Sequence, residues 1–477
     1  MSTSSRGSAE SAITASKQAL RNILTPLSAL PEPSAATVQI LINTFFQHAD
    51  QVGFFLHRGW FMRLLSARSI HPQQQAISPA LLNALYLWGV RLATLDTLLL
   101  YEPVFLSRAT QALAGTVAHM PSYSITHTIQ AEILLANFHF ASGQLAQARH
   151  HCSAATALAL SCRLHQVRSI QLPRTNPIHA MEFNPPPPAD VTEEAERIQA
   201  FWQVFILDAC LAVPSRLPSR FVGSHGAQVD TPWPLDAEAY EQGGFPSGIR
   251  GSSTVEAFLR GTDLNPYHGS SSVALHAKAA ALFERAADMA SRFLTATDTE
   301  QFAAEFVALD SIIDHFSNSL MPVNMSAGLD ATRRLLVTHT LARVATIQLH
   351  QRLREMEALT ESKDVSAAKA AASLLDGVSM GQVGYISPIL GLLWSIVARV
   401  LHSEMTRLRS LWMSASTFGH QSSNAQQLRY MQEEHDKVAA ALAKVCNAMS
   451  SLASTSSYMA MQAEICRREM MQAGTGQ

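Results

Sequence analysis

Residues 126–165 read THTIQAEILLANFHFASGQLAQARHHCSAATALALSCRLH. From just before this stretch, Ile125, Ile129, Ile133, Ala136 and Phe140 return about once per turn, which is the spacing of one helix face and not of a strand. Gly143 follows where a helix commonly ends in a left-handed residue. The next run, Leu145 to about Cys162, brings the small residues Ala148, Cys152, Ala155 and Ala159 to one side, so a neighbouring helix can approach closely. Helix, glycine turn and helix together read as an αα-hairpin.

The same spacing continues outward in both directions. Val38, Leu41, Ile42, Phe45 and Phe46 form an apolar stripe; Ser78 and Pro79 open a helix carrying Leu81, Leu82, Leu85, Trp88 and Leu92; and Pro103 opens another with Phe105, Leu106, Ala109 and Leu113. Leu172 to Asp190 holds six prolines, Pro185 to Pro188 consecutive, and reads as an extended connection. Asp190 with Glu193 makes a cap for a helix over Glu193 to Ala212 that is apolar nearly all round and therefore central. Glycine, proline and serine recur from Pro214 to Ser272, an irregular connection. Beyond it Val273–Leu294, Thr299–Leu320, Asp330–Glu357, Val365–Leu375, Ser387–Trp412, Asn424–Met449 and Tyr458–Met471 read as helices, and no stretch alternates with a strand's period. The expected fold is all-α: antiparallel helix hairpins with long Pro/Gly-rich connections.

Composition narrows the function classes. The 477 residues are 47% hydrophobic, 15% charged and carry a net charge of -2, so a sizeable core is expected and no general positive field draws phosphate. Arg333-Arg334 and Arg467-Arg468 are isolated basic pairs, read as solvated helix surface, and no residue is assigned to DNA binding. Five scattered cysteines, never in C-x-x-C spacing, suggest separate reduced thiols, and no apolar run reaches membrane-span length, so neither membrane nor secretion is expected. His150, His151 and Cys152 are consecutive on a helix and point about 100° apart, so no metal site is assigned. G-x-S-x-G, P-loop, dinucleotide and H-E-x-x-H motifs are absent, and no catalytic residue is nominated.

Four segments, taken in order, resemble the fungal-specific transcription factor domain, the middle homology region of zinc-cluster regulators. Residues 41–65, LINTFFQHADQVGFFLHRGWFMRLL, are similar to its opening helix and aromatic turn, with His57 and Phe61 as the His-x-x-x-Phe lead-in to the next helix. Residues 126–165 match its Gln-containing helix, Gly turn and closing Leu-His, here Gln130, Gly143, Leu164 and His165. Residues 193–218, EEAERIQAFWQVFILDACLAVPSRLP, supply Phe201, Trp202, Asp208, Arg216 and Pro218; residues 229–234, VDTPWP, supply Asp230 and Pro234.

The resemblance implies a fungal regulator of RNA polymerase II transcription, not an enzyme, located in the nucleus or shuttling with the cytoplasm. No run of basic residues supplies a targeting signal. It divides the chain into a Ser/Ala-rich disordered tail (1–36), a regulatory core (37–235), an irregular loop (236–272) and a C-terminal helical part (273–472) packed on that core. The family's six-cysteine zinc cluster is not present in the chain, so no cofactor is expected here, zinc would enter only with such a cluster, and DNA contact would come from elsewhere. Expected partners are the transcription machinery or another DNA-binding regulator, a second copy of the chain, and a small-molecule effector. Phe201, Trp202, Phe205 and Trp233 either pack the core or line the effector pocket. The competing reading is a tetratricopeptide-like scaffold, since Leu134 to Leu164 is similar to one such hairpin.

Overall fold

The computed structural model describes residues 32–70, 77–93, 95–116, 124–170, 186–222, 226–236, 239–240, 242, 245–246, 248–262, 269–295, 297–356, 362–418 and 423–475. The expected tail (1–36) up to residue 31, most of the proline-rich connection and parts of the 236–272 loop lie outside the described residues.

The described chain is all-α. Ser34 accepts a hydrogen bond from Thr37 N (3.1 Å) and starts α1 (Ala35–Phe46), followed by a single turn, Ala49–Val52. Then come α2 (Arg58–Ile70), α3 (Pro79–Ala93) and α4 (Glu102–Thr116). Gly89 of α3 lies against the backbone of α1: a Cβ there would stand 2.6 Å from the Leu41 carbonyl, so only glycine permits this crossing.

The hairpin is α5 (Ser124–Ala141) and α6 (Leu145–Ser161). Between them Gly143 is left-handed (φ +77°), its N–H donating to Phe140 O and that of Gln144 to His139 O, the paired bonds of a Schellman turn. Ala148, Cys152, Ala155 and Ala159 of α6 are all buried.

Helix α7 (Val191–Ser215) is capped by Asp190 (Glu193 N, 2.8 Å) and is buried from Ala195 to Ala212 on almost every side. By length and composition it could cross a membrane; here neighbouring helices bury that apolar surface. It outruns the expected end at Ala212 because Pro214 falls in the last turn, and Arg216, left-handed at φ +52°, closes a second Schellman turn with Leu217 N to Ala212 O.

The expected irregular stretch contains a short helix, α8 (Thr254–Leu259), beside an isolated bridge from Ser169 to Gly251. The C-terminal helices are α9 (Ser272–Arg292), α10 (Thr299–Ser319), α11 (Leu329–Met356), α12 (Lys363–Ser373), α13 (Ile389–Phe418), α14 (Ser423–Ser451) and α15 (Ser457–Thr475).

Two hydrophobic cores share α5. Ala131, Leu134, Leu135 and Phe138 join α1 to α4 in one; Ile129, Ile133, Ala136 and Phe140 join α6, α7 and the C-terminal helices in the other. Two sequence readings are corrected. Cys446 and Cys466 are not separate thiols: the antiparallel α14 and α15 bring their Cα atoms to 6.2 Å and the pair is disulfide-bonded, a pairing that motif spacing cannot show. Arg333 is not solvated surface but 5% exposed, because its guanidinium satisfies the Val383 carbonyl at the end of the single helical turn Met380–Val383.

Candidate functional site

The residues that carried the resemblance fasten connecting segments to α5, α6 and α7. His57 is the cap of α2, its Nδ1 accepting from Trp60 N (3.1 Å), while its own N–H donates to Glu196 of α7 (2.9 Å). Phe61, fully buried, meets Phe46 and Phe54 edge to face. Gln130 grips the turn before α2 from both sides, accepting from Phe55 N (2.7 Å) and donating to Gly53 O (3.0 Å).

The VDTPWP strip is laced on in the same way. The His165 carbonyl accepts from Asp230 N (2.8 Å) and Thr231 N (3.1 Å), and the Leu164 carbonyl from the Thr231 hydroxyl (2.6 Å). Asp230 takes hydrogen bonds from Ser169, Gln228 and Ser253 N, and Pro234 O accepts from Ser271, the cap residue of α9. Asp208 is held by Arg149 (3.0 Å), Ser219 (2.9 Å) and Arg220 N (2.7 Å), just beyond the turn that Arg216 and Pro218 make.

The four aromatic residues do not form one open pocket. Phe201, Trp202 and Phe205 have no exposure; Trp202 donates to Pro232 O (2.8 Å) and stacks on Trp233, ring centres 4.4 Å apart. Trp233 borders a small cavity of about 140 Å³.

A larger space, about 400 Å³, opens elsewhere, where the turn between α1 and α2 faces α5, α7, α9 and α11. None of the four aromatics lines it. Ile133, Phe140, Ile206, Leu211, Val337 and Ile389 make apolar walls, and Asp50, His276 and Arg334 bring charge and hydrogen-bonding groups. Burial pushes the Asp50 carboxyl above its ordinary range and holds His276 neutral, its pKa lowered to about 4. A neighbouring space of about 350 Å³ shares Phe55, His57 and Gln199 with it and contains Glu196, whose carboxyl burial raises to about 7.

Sequence reasoning missed this site. Its walls come from seven separate stretches of the chain, and most of its polar members stand in otherwise apolar or helical runs. The nearest available signal was Asp50-Gln51 inside an aromatic-rich turn, since polar residues there have to be met by partners.

Among the described residues no group of three or more His, Cys, Asp and Glu could hold a metal ion. His151 is instead paired with Glu132 (2.6 Å) and stacked on His139, while Cys152 is buried on another side of α6.

No curated protein and no solved structure matches the chain. Residues 42–327, more than half of it and covering the four segments described above but for Leu41, match the profile of the fungal-specific transcription factor domain. With an all-α body whose motif residues lie at the joints of that matched region, this chain belongs to the fungal-specific transcription factor domain family.

Proposed function

We propose that the chain is the effector-sensing body of a fungal regulator of RNA polymerase II transcription, with DNA contact made outside the residues described here or by a partner regulator. It works in the nucleus, alone or as a homodimer, by presenting its helical surface to the transcription machinery. Family membership supports the transcriptional role. The observation that carries the sensing role is the 400 Å³ cavity, a volume in the usual range for small-molecule sites, with apolar walls and a few converging polar groups. Its walls include both the turn tied to the N-terminal core and helices of the larger core, so an occupant touches both.

The test is to fuse the chain to a heterologous DNA-binding domain upstream of a reporter and compare it with Leu211→Trp, which fills the cavity. Reporter output should change on tethering and differ between the two forms. A tagged protein that is never nuclear, with a deletion that leaves the transcriptome unchanged, would end the transcriptional reading. The scaffold alternative gains no support from α5, whose two buried faces belong to two different cores and not to a stack of repeats.

A further inference from the structure

Two consecutive arginines of α11 have different surroundings. Arg333 is fully engaged, Nε and Nη2 donating to the Val383 carbonyl and Nη1 to Asp330 (2.9 Å). Arg334 lines the cavity; its Nη1 meets Asp50 at 3.3 Å, and its Nε is out of solvent with no hydrogen-bond partner. A buried donor left unmade is costly, and Nε with Nη2 is the edge on which a guanidinium grips a carboxylate through two parallel bonds.

We infer that the cavity takes a small organic acid, one carboxylate on an apolar body, with the carboxylate docked on that Nε–Nη2 edge of Arg334, next to the Nη1 that Asp50 holds. The inference rests on the effector reading and names the ligand's chemistry. Of the other charged groups around the cavity, Asp236 accepts from Ser272 N and its hydroxyl and Asp330 pairs with Arg333, while Arg58, exposed in the first turn of α2, lies over the Phe46 ring. Asp50 remains as the competitor: it holds Arg334 by one bond of 3.3 Å and also accepts from Gln51 (2.8 Å), and burial raises its carboxyl's pKa. An amine would instead bring positive charge beside Arg334. The apolar body lies along Ile133, Ile206, Leu211 and Val337, and His276, whose Nε2 is buried without a partner, offers a hydrogen bond to a second polar atom.

Binding has a structural consequence. A carboxylate on the Nε–Nη2 edge brings a second negative charge to the guanidinium that Asp50 holds through Nη1, so the two compete for one cation. Asp50 belongs to the Ala49–Val52 turn, where the neighbouring Gln51 accepts from Ser387 N (3.3 Å) just ahead of α13. The acid therefore weakens the tie between the N-terminal turn and α11 as it binds beside it.

Octanoate, octanamide and octylamine, one chain with three head groups, test this on the full chain by thermal shift and calorimetry. Octanoate should stabilise it more than the amide or the amine. Arg334→Gln should weaken octanoate by about tenfold or more, the worth of a charge-assisted pair, and Asp50→Asn should strengthen it. Those opposite effects separate recognition from general damage, which would lower both. If the amide binds as well as the acid, or Arg334→Gln changes nothing, the acid assignment is wrong. Binding that ignores Arg334 yet is lost in Leu211→Trp keeps the sensing reading with a neutral occupant. No stabilisation by any of the three overturns the acid, and an unchanged reporter in Leu211→Trp then overturns the sensing reading as well.

Discussion

Gln130 is a fully buried polar side chain in α5, and it is tolerated because both ends of its amide are used on the Gly53–Phe55 backbone. Gln130→Leu keeps the size and removes both bonds, leaving a partly buried N–H and carbonyl unmatched. The expected loss is roughly 2–5 kcal/mol, read from urea unfolding; a change near zero would mean that the turn finds other partners. At this scale the sequence located the joints but not their work. Gln130, His57 and Asp230 were visible as motif positions, whereas their partners lie 75, 139 and 61 residues away in the chain. Arg333 and Arg334 were indistinguishable as neighbours in a helix. Their difference comes from the carbonyl of Val383 on one side and a cavity on the other, neither of which is local.

Helix α5 shows what periodicity conveys about an element and what it leaves out. The stripe Ile125, Ile129, Ile133, Ala136 and Phe140 reveals a helix and one of its buried faces, and Gly143 reveals its end. The opposite face is also apolar and serves the other core, so no polar side marks an outside. Ile133→Ala and Leu134→Ala, adjacent in sequence and in different cores, should each cost about 2–5 kcal/mol in chemical unfolding. Val307 on α10, 66% exposed, is the control, and its change to alanine should stay within about 0.5 kcal/mol. Tolerance at either α5 position would show that its core can close over the loss. Helix α7 adds the complementary case. Its all-round apolar character correctly implied a central place, yet its end was misread, because a proline in the last turn and a left-handed Arg216 look like a connection and act as a cap.

Taken whole, the molecule buries titratable groups of two opposite kinds, and their balance sets how stability follows pH. His127 and His276 are held at about 4 instead of 6.5 by burial, and His48, His139, His165 and His339 are lowered in the same direction. The unfolded chain takes up protons that these folded imidazoles refuse, so their contribution is present above about 6.5 and is lost as pH falls toward 4. Glu196 and Glu284 act in reverse, and Asp50 is raised in the same direction. Burial raises both glutamates from 4.5 to about 7, so the folded state holds the proton more tightly; their contribution is complete below 4.5 and lost as pH rises through 7. Between 4.5 and 6.5 the imidazoles outnumber the carboxyls and acid destabilises; above 6.5 the carboxyls alone are still titrating and alkali destabilises slightly. Stability should therefore peak near pH 6.5, as measured by urea midpoints at pH 5, 6.5 and 8 and constant ionic strength. His276→Gln should flatten the acid limb and Glu284→Gln the alkaline one. A steady rise from pH 5 to 8 would show that the two glutamates ionise freely in the fold, and a flat acid limb would show that the buried histidines are reached by water.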